Sequence, residues 1–277
     1  MKLKKLLFLL TGAFISLTSL SSCFLVNTLV VYTEAGFAPF EYVSHRRIVG
    51  VDVDIMTKVA EKMGKKVMFE NVAFDTIIDT VSAGKLTYVG AAGLSVTEER
   101  KAKVNFSTEY YQANLYVIYN VNNVSNDFSK IMTDSCEGVY WSSLNSKKGV
   151  GVQSGTTADL FLADEIAEGG SLEGIRPSFY SNLDTAIADI GLNVDFLIID
   201  ELPAKKLVEN KPNLNCLPLY YEGEEDERAY DSYAIAVTKG QDEILNTINE
   251  VLNELLNDVD ENGLNGIQQL VNYHLGI

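Results

Sequence analysis

Arg100 follows a run of small residues and stands where an arginine could bind an anion. The segment 90–100 reads GAAGLSVTEER, in which an apolar strand-like stretch passes into a predicted helix with Thr97 at its N-cap. The small residues up to Gly93 would let a ligand approach the backbone. Ser95 adds a hydroxyl, and the guanidinium of Arg100 can pair bidentately with a carboxylate. These residue types together predict a carboxylate site.

The same segment also fits a plain surface helix. Glu98 and Glu99 are favourable in a first helical turn because they face the positive end of the helix dipole. Arg100 would then pair with one of these acids in solvent. The residues alone leave both interpretations open.

A second strand-to-helix junction lies in the segment 149–161, GVGVQSGTTADLF. The N-terminus of this predicted helix, at Thr156 and Thr157, could present N–H groups to an anion. Alternatively Ser154 or either threonine simply caps the helix. The order G-x-x-S-G over 151–155 differs from the G-x-S-x-G of a nucleophile elbow, which disfavours a serine hydrolase.

A third strand, VDFLIID over 194–200, ends at Asp200 immediately before the predicted helix ELPAKK. Ligands of open α/β sheets bind beyond the carboxyl ends of strands, so Asp200 could accept hydrogen bonds from an ammonium group. It could equally be an N-cap. In TEAGFAPFEY, which follows the first strand, Phe40 is predicted to be core and Phe37 to line a pocket.

Composition narrows the possible functions. The chain has 277 residues, 47% of them hydrophobic, and a formal net charge of -16, which disfavours nucleic acid as a partner. The only histidines are His45 and His274 and no C-x-x-C pair occurs, so no metal, cofactor or histidine-based triad is expected. A disulfide between Cys136 and Cys216 is chemically possible in an exported chain, and the sequence leaves it open.

The N-terminus predicts export. Residues 1–22 combine a lysine-rich start with an apolar run too short for a typical transmembrane helix, as in a signal peptide. The sequence LSSC ending at Cys23 resembles a bacterial lipobox, although a free cysteine near an ordinary cleavage site would look similar. On the lipobox interpretation Cys23 is acylated, residues 23–28 form a tether, and a lipid anchor holds the protein at the extracytoplasmic face of the cell membrane.

Hydrophobic periodicity predicts an α/β protein in two parts. Two strand–helix pairs and a third strand suggest a parallel sheet covered on both faces. A second α/β series follows the Asn-rich segment 115–127, and a last strand, SYAIAV over 232–237, precedes two amphipathic helices. The first series comprises strand 29–33, helix 51–64, strand 66–72, helix 74–84 and the strand that ends at 90–93.

Seven segments in order resemble the extracytoplasmic amino-acid-binding proteins of ABC importers, solute-binding protein family 3. They are TEAGFAPFEY, GVDVDIMTKVAEKMG, FDTIIDTVSAGK, AAGLSVTEER, VNFSTEYY, GVGVQSGTTADL and VDFLIIDELPA, and they span essentially the whole mature chain. The resemblance implies a two-lobed, type II periplasmic-binding-protein-like fold with the ligand in the cleft between the lobes.

The resemblance also implies roles for particular residues. Arg100 matches the arginine that binds the ligand α-carboxylate. Ser95 and the backbone near Gly93 assist it, with Thr157 and its neighbour Thr156 across the cleft. The resemblance thus favours the carboxylate interpretation of Arg100.

The rest of the ligand is assigned by the same resemblance. Asp200 matches the acid that binds the α-ammonium, and Phe37 and Phe74 match the residues that flank the ligand side chain. Glu34 matches a rim position that can meet a polar or cationic tip. Where the family often has G-K-x-D, this chain has an extra residue and Tyr88, which shifts the local register.

The resemblance to this family also predicts the limits of the two lobes. Lobe 1 is expected to comprise residues 29–111 and 234–277, and lobe 2 residues 112–233. The hinge segments would lie near 112–116 and 228–233.

The resulting expectation is a monomeric solute-binding subunit, not an enzyme. It would capture an L-amino acid, with polar or cationic ones favoured, and deliver it to an ABC permease in the membrane. Two alternatives stay open: an amino-acid-sensing receptor component, and a cyclohexadienyl-dehydratase-like enzyme on the same fold, in which Glu34 would be a candidate buried acid.

Overall fold

The computed structural model describes residues 27–84, 88–123, 128–132, 137–222, 227–228 and 230–277. The predicted signal peptide, the lipidation site Cys23 and Cys136 lie outside these residues. The α-helices are α1 Val51–Lys62, α2 Ile77–Ala83, α3 Glu98–Lys103, α4 Thr157–Ile166, α5 Leu183–Asp189, α6 Glu201–Val208, α7 Asp242–Asn257 and α8 Gly266–Leu275.

The strands form three sheets. They are β1 Thr28–Thr33, β2 Gly36–Phe37, β3 Glu41–Ser44, β4 Arg47–Val49, β5 Lys66–Asn71, β6 Val89–Gly90, β7 Asn105–Phe106, β8 Tyr111–Asn120, β9 Lys130–Met132, β10 Glu137–Tyr140, β11 Val150–Gln153, β12 Pro177–Tyr180, β13 Phe196–Asp200, β14 Leu214–Tyr221, β15 Glu227–Arg228, β16 Tyr230–Tyr233 and β17 Ala236–Val237. Short 3-10 helices cover Phe74–Thr76 and Trp141–Leu144.

The first lobe is built on a five-stranded sheet in the order β5-β1-β6-β17-β7. The strands β5, β1 and β6 run parallel, as predicted, and β17 runs antiparallel to β6 and β7. The prediction of a parallel sheet therefore holds for these three strands. In this sheet only β17 runs in the opposite direction, since β7 is antiparallel to β17 and so has the direction of β6. The strand β17 belongs to a segment that returns from the second lobe.

Helices α1, α7 and α8 pack on this sheet through apolar side chains that recur at helical spacing. Ile55, Met56 and Val59 of α1 are completely buried. Helix α2 ends at Gly84, which adopts a left-handed conformation with φ 56°, so the predicted glycine stop is confirmed. Phe40 is also completely buried, which confirms its predicted place in the core.

The second lobe is built on a nine-stranded sheet whose main path is β12-β11-β13-β8-β14-β10-β9. The strand β13, FLIID, is buried along its length until Asp200 and lies between β11 and β8. Its apolar sequence is typical of a strand covered on both faces. This central position fixes the strand end that carries Asp200.

The segment 230–237 passes between the lobes. The predicted single strand 232–237 is wrong in detail, since β16 pairs with β8 in the second lobe whereas β17 pairs in the first. The break falls at Ala234 and Ile235, where the chain changes sheets. Among the described residues, no helix is both long and apolar enough to cross a membrane.

Candidate ligand-binding site

Arg100 lies in the first turn of α3 and points into the protein. Thr97 caps the helix, with its hydroxyl accepting from the Arg100 N–H at 3.2 Å. Arg100 is only 8% exposed. Its Nη1 donates to the carbonyl of Ser95 at 2.7 Å and its Nη2 donates to the carbonyl of Gly155 at 2.8 Å. The second bond crosses from the first lobe to the second.

The surface interpretation of Arg100 is therefore wrong. Glu98 and Glu99 pair with Lys101 and Lys103 instead. Burial lowers the pKa of the Arg100 guanidinium from its usual value, and nearby carboxylates partly oppose this shift. An arginine titrates so high that the group stays charged, and a buried cation of this kind needs an anion beside it.

Two aromatic side chains line the same region. The guanidinium of Arg100 lies over the Phe74 ring, 5.6 Å from its centre. Phe37 is half-buried and packs against Tyr233, with ring centres 6.1 Å apart. Gly93 has φ 54°, and a Cβ atom there would lie 2.9 Å from the Phe37 ring. The glycine is thus required both by its backbone conformation and by this ring.

Hydroxyl groups connect the lobes at this end of the cleft. Ser95 Oγ and Thr157 Oγ1 are 3.2 Å apart, and the Thr157 hydroxyl donates to a carboxylate oxygen of Asp231 on β16. Because Thr157 gives its only proton to Asp231, Ser95 must be the donor to Thr157. Thr156 is engaged differently, since its hydroxyl donates to Gln153 and accepts from an N–H of α4 as the helix cap.

The backbones of the two lobes also approach closely here. Gly155 has φ 75°, and a Cβ atom on it would lie 3.0 Å from Cβ of Asp75 in the first lobe. A larger residue would strain the backbone and push the lobes apart. The small residues predicted at the second junction thus allow close contact between the lobes.

Asp200 occupies the N-cap position of α6 but makes no capping hydrogen bond with its side chain. Its Oδ1 and the Tyr233 hydroxyl are buried, and neither has a hydrogen-bond partner among the described residues. Burial raises the pKa of Asp200 to about 8, with a further contribution from Asp231 and an opposing one from Tyr233. Among the described residues Oδ1 is therefore left without a donor, so this oxygen is placed to accept one from a ligand.

Glu34 lies at the start of the loop after β1 and is buried. Burial is the main cause that raises its pKa, and the side-chain amide of Gln153 acts in the opposite direction. Gln153 ends β11 and is itself 4% exposed. The two polar side chains come from different lobes.

Several site residues were missed by sequence reasoning. Asp231 was hidden in the acidic run EGEEDERAYD, and Gln153 was given no role in the predicted strand that contains it. Asp52 is buried in α1 and fixes the backbone at Gly93, because it accepts from the Gly93 N–H at 3.0 Å and from the Tyr110 hydroxyl at 2.5 Å. An acid at an inward helix position next to an apolar face was the available signal for Asp52.

The structure brings together the predicted residues Arg100, Ser95, Gly93 and Thr157, and it places Phe74 beside Arg100. Phe37 packs on Gly93, and Asp200 lies near Asp231, which contacts Thr157. Cys216 is a free cysteine among the described residues, and burial raises its pKa to about 11.

This chain is similar to known proteins both in sequence and in structure. A probable histidine-binding protein of Campylobacter jejuni is 27% identical over 83% of this chain and 80% of its own length. An arginine-binding extracellular protein of Bacillus subtilis is 30% identical over 53% of this chain, and this chain covers about 60% of that relative. An amino acid ABC transporter substrate-binding protein of Streptococcus pneumoniae, solved with L-arginine, has a TM-score of 0.73 and 26% identity, covering 90% of this chain and 95% of that one.

A family model describes nearly the whole chain. The bacterial extracellular solute-binding proteins of family 3 match residues 29–263. This range contains the three sheets, apart from Thr28 at the start of β1, and every residue of the cleft described above, and the structural relatives are two-lobed. The chain belongs to the bacterial extracellular solute-binding proteins of family 3.

Proposed function

We propose that this protein captures one L-amino acid in the cleft between its lobes and delivers it to an ABC permease. The observation that carries the proposal is the opposite chemistry of the two ends of the cleft. A buried guanidinium lies at one end. At the other end lies the half-buried Asp200, whose Oδ1 has no hydrogen-bond partner among the described residues. The carboxylate and ammonium of an amino-acid zwitterion match these two groups.

The carboxylate end has donors to spare. A guanidinium has five N–H groups, and Arg100 uses one on Nη1 and one on Nη2 for backbone carbonyls. The other three can bind a carboxylate, and the Gly93 region and Thr157 border the same space. Arg100 would therefore keep its orientation while it binds the ligand.

The side chain of the ligand would lie between Phe37 and Phe74 and reach toward Glu34. Aromatic faces suit both apolar stems and cationic groups. Glu34 and Gln153 supply acceptors, which favour a polar or cationic tip. The names of the arginine- and histidine-binding relatives agree with this choice.

Binding would close the lobes on the ligand. Arg100 belongs to the first lobe whereas Thr157 and Asp200 belong to the second, so a bound amino acid would stabilise the closed state more than the open one. We place the hinge near 112–116 and 228–233, the lobe limits being 29–111 with 234–277 and 112–233. Small-angle scattering should show a smaller radius of gyration at saturating ligand, and an unchanged radius would contradict closure.

A thermal-shift screen of the twenty L-amino acids tests ligand capture directly. A ligand at a hundred times its dissociation constant should stabilise the protein by about 2.7 kcal/mol. We expect the largest shift from a cationic or polar amino acid. If none of the twenty stabilises the folded protein, the proposed function is wrong.

The anchor and the absence of catalysis belong to the same proposal. Acylation of Cys23 would hold a monomer at the extracytoplasmic face of the membrane, and a Cys23→Ala variant should lose palmitate labelling. The protein should bind prephenate or arogenate without turnover, if it binds them at all. Measurable turnover of either would favour the dehydratase-like alternative.

An uptake assay in cells distinguishes an import subunit from a sensing receptor. Cells that lack this protein should lose high-affinity uptake of the amino acid found in the screen. Normal uptake with a lost response to that amino acid would favour the receptor alternative.

A further inference from the structure

Asp231 is a buried acid to which the proposed amino-acid site gives no role. It lies on β16 and is 9% exposed. Its Oδ2 accepts the proton of the Thr157 hydroxyl, and its Oδ1 accepts from the N–H of Ser232 at 2.8 Å. Both oxygens therefore have donors within the protein, unlike Oδ1 of Asp200. Because these donors satisfy its carboxylate, Asp231 does not need to bind the ligand itself.

The backbone around Asp231 holds this carboxylate in place. Asp231 pairs with Ala113 of β8 in the second lobe. The carbonyl of the next residue, Ser232, accepts from the N–H of Val96 at 3.3 Å, and Val96 follows Ser95 in the first lobe. The strand β16 thus contacts both β8 and the segment that carries Ser95. The position of the carboxylate is therefore fixed relative to groups of both lobes.

A chain of hydrogen bonds leads from Asp231 to Arg100. The Thr157 hydroxyl has one proton and gives it to Asp231, so the Ser95 hydroxyl, 3.2 Å away, is the donor to Thr157. The carbonyl of Ser95 in turn accepts from Nη1 of Arg100 at 2.7 Å. A carboxylate can only accept, so Asp231 fixes the direction of both hydroxyl protons.

The two hydroxyls alone would not fix that direction. A hydroxyl can donate or accept, so Ser95 and Thr157 by themselves could point their protons either way. Hydrogen bonds to a carboxylate are about twice as strong as those between neutral groups, and Asp231 therefore favours one arrangement. Burial lowers the pKa of the Arg100 guanidinium, and Asp231 is the acid that most opposes this shift, which agrees with its place at the end of the chain.

We propose that Asp231 is a positioning residue for the carboxylate end of the site: through Thr157 it holds the Ser95 segment in the geometry in which Arg100 meets the ligand. This inference rests on the proposed amino-acid function and adds to it a residue that does not touch the ligand. The hydroxyl of Ser95 is bonded to Thr157 and its carbonyl to Arg100, so the two groups are ordered together. Groups that the protein has ordered cost the ligand less to bind, and the chain therefore contributes to affinity.

The variant Asp231→Asn tests the role of the carboxylate. The amide has nearly the same shape, but it is neutral and can donate as well as accept, so it no longer fixes the direction of the hydroxyl protons. We expect the affinity for L-arginine, or for whichever of the twenty L-amino acids gives the largest thermal shift, to fall about tenfold at pH 7. Titration calorimetry measures this affinity at a temperature at which denaturation curves show each variant to be folded. A contact that only stabilised the fold would leave the affinity within about twofold of the wild type.

The variant Thr157→Val distinguishes action through Thr157 from a direct effect of the Asp231 charge on the ligand. Valine has no hydroxyl, so in its background Asp231→Asn should lower the affinity by no more than about twofold. An equal loss in both backgrounds would mean that Asp231 acts by its charge alone, which would overturn the positioning role. Thr157→Ser keeps the hydroxyl, and in that background Asp231→Asn should again cost about tenfold.

The matched control is Asp195→Asn. Asp195 also accepts from a serine hydroxyl, that of Ser146 at 2.7 Å, but it directly precedes β13 and so lies at the strand end opposite to Asp200. This variant removes the same charge from the same lobe, and its affinity should stay within about twofold of the wild type. A loss as large as that in Asp231→Asn would assign the effect to net charge and overturn the proposal.

The outcomes separate this inference from the proposed function. Wild-type affinity in Asp231→Asn would overturn the positioning role and leave amino-acid capture intact. Failure of every amino acid to bind the wild type would overturn both proposals. If Asp231→Asn does not fold, the two Thr157 variants decide: Thr157→Ser should bind within about threefold of the wild type and Thr157→Val about tenfold more weakly. Equal affinities of these two variants would overturn the chain.

Discussion

The two ends of the cleft differ in how their polar groups are satisfied. Around Arg100, the guanidinium, Ser95 and Thr157 all have hydrogen-bond partners, and two of these bonds join the lobes. Around Asp200, one carboxyl oxygen and the Tyr233 hydroxyl are buried without a partner among the residues that the structure describes. The proposed carboxylate end is thus organised by the protein itself, whereas the proposed ammonium end would depend on the ligand.

This difference suggests that the two ends contribute differently to the stability of the folded protein and to its affinity for the ligand. At the Arg100 end, the closed protein holds the guanidinium and both hydroxyls with its own hydrogen bonds, so less ordering is left for the ligand to provide, which favours affinity. At the Asp200 end, a buried acid destabilises the folded protein until a cation pairs with it. Removing the Arg100 guanidinium should therefore lower the stability of the folded protein, whereas removing the charge of Asp200 should raise it.

The largest effect is expected at the organised end. Arg100→Ala should weaken amino-acid binding by roughly 2 to 5 kcal/mol, about thirty- to several-thousand-fold, because it removes one partner of a buried charge pair. Lys101→Ala is the matched control, since Lys101 is the next residue and pairs with Glu98 at the surface. Its effect on affinity should be within about threefold. Equal affinities of the two variants would exclude the clamp.

At the other end, Asp200→Asn should stabilise the ligand-free protein while it impairs binding. The pKa of Asp200 rises from 3.8 in the unfolded chain to about 8 in the folded protein. Stability from its neutral form is complete below the lower value and is lost as the pH rises to the upper one. An asparagine does not ionise, so the variant should gain on the order of 1 to 4 kcal/mol relative to wild type at pH 8.

The pH dependence of the stability difference between Asp200→Asn and the wild type serves as an internal control. Chemical denaturation of both proteins at pH 4 and pH 8 should show a gap that opens with rising pH. A variant that is less stable than wild type at pH 8 would mean that Asp200 is satisfied in the folded protein, and the contrast between the two ends would disappear.

The sequence predicted where strands end, but it did not predict which sheet each strand joins. The burial of β13 and the stop of α2 follow from apolar runs and a glycine, which are local signals. The division of 232–237 into two strands depends on which sheet each half joins, and that is a long-range property. Local propensity cannot distinguish a strand that crosses a hinge from one that ends in a single sheet.

The proposed site was predictable where resemblance to a family assigned a use to a residue that the sequence alone left open. Arg100, beside a glycine-rich strand end, was assigned to a ligand carboxylate by this resemblance, although its burial could not be read from the segment. Asp231 was missed because an acid inside an acidic run is usually a surface residue. Its importance depends on burial, which only the folded structure supplies.

Glu34 offers a smaller test of the ammonium end and its neighbourhood. Glu34→Gln keeps the size of the side chain but removes the charge, so the variant should lose about 1.5 kcal/mol more for L-arginine than for L-glutamine, roughly tenfold in relative affinity. Competition binding with the two amino acids measures this ratio. An unchanged ratio would place the side-chain tip of the ligand away from Glu34.

The smallest expected effect concerns the hydroxyl contact between the lobes. Ser95 donates to Thr157, which donates to Asp231, so the two hydroxyls should be coupled in the closed protein. We expect a coupling free energy of about 0.5 to 1 kcal/mol in ligand affinity from the cycle of Ser95→Ala, Thr157→Val and the double variant. The control cycle replaces Thr157→Val by Thr247→Val, whose hydroxyl is exposed on α7 and donates to the Glu243 carbonyl. That pair should be additive. A Ser95–Thr157 coupling no larger than the control would mean that the contact adds nothing to closure, and organisation of the carboxylate end would then depend on Arg100 and its bond to Gly155 alone.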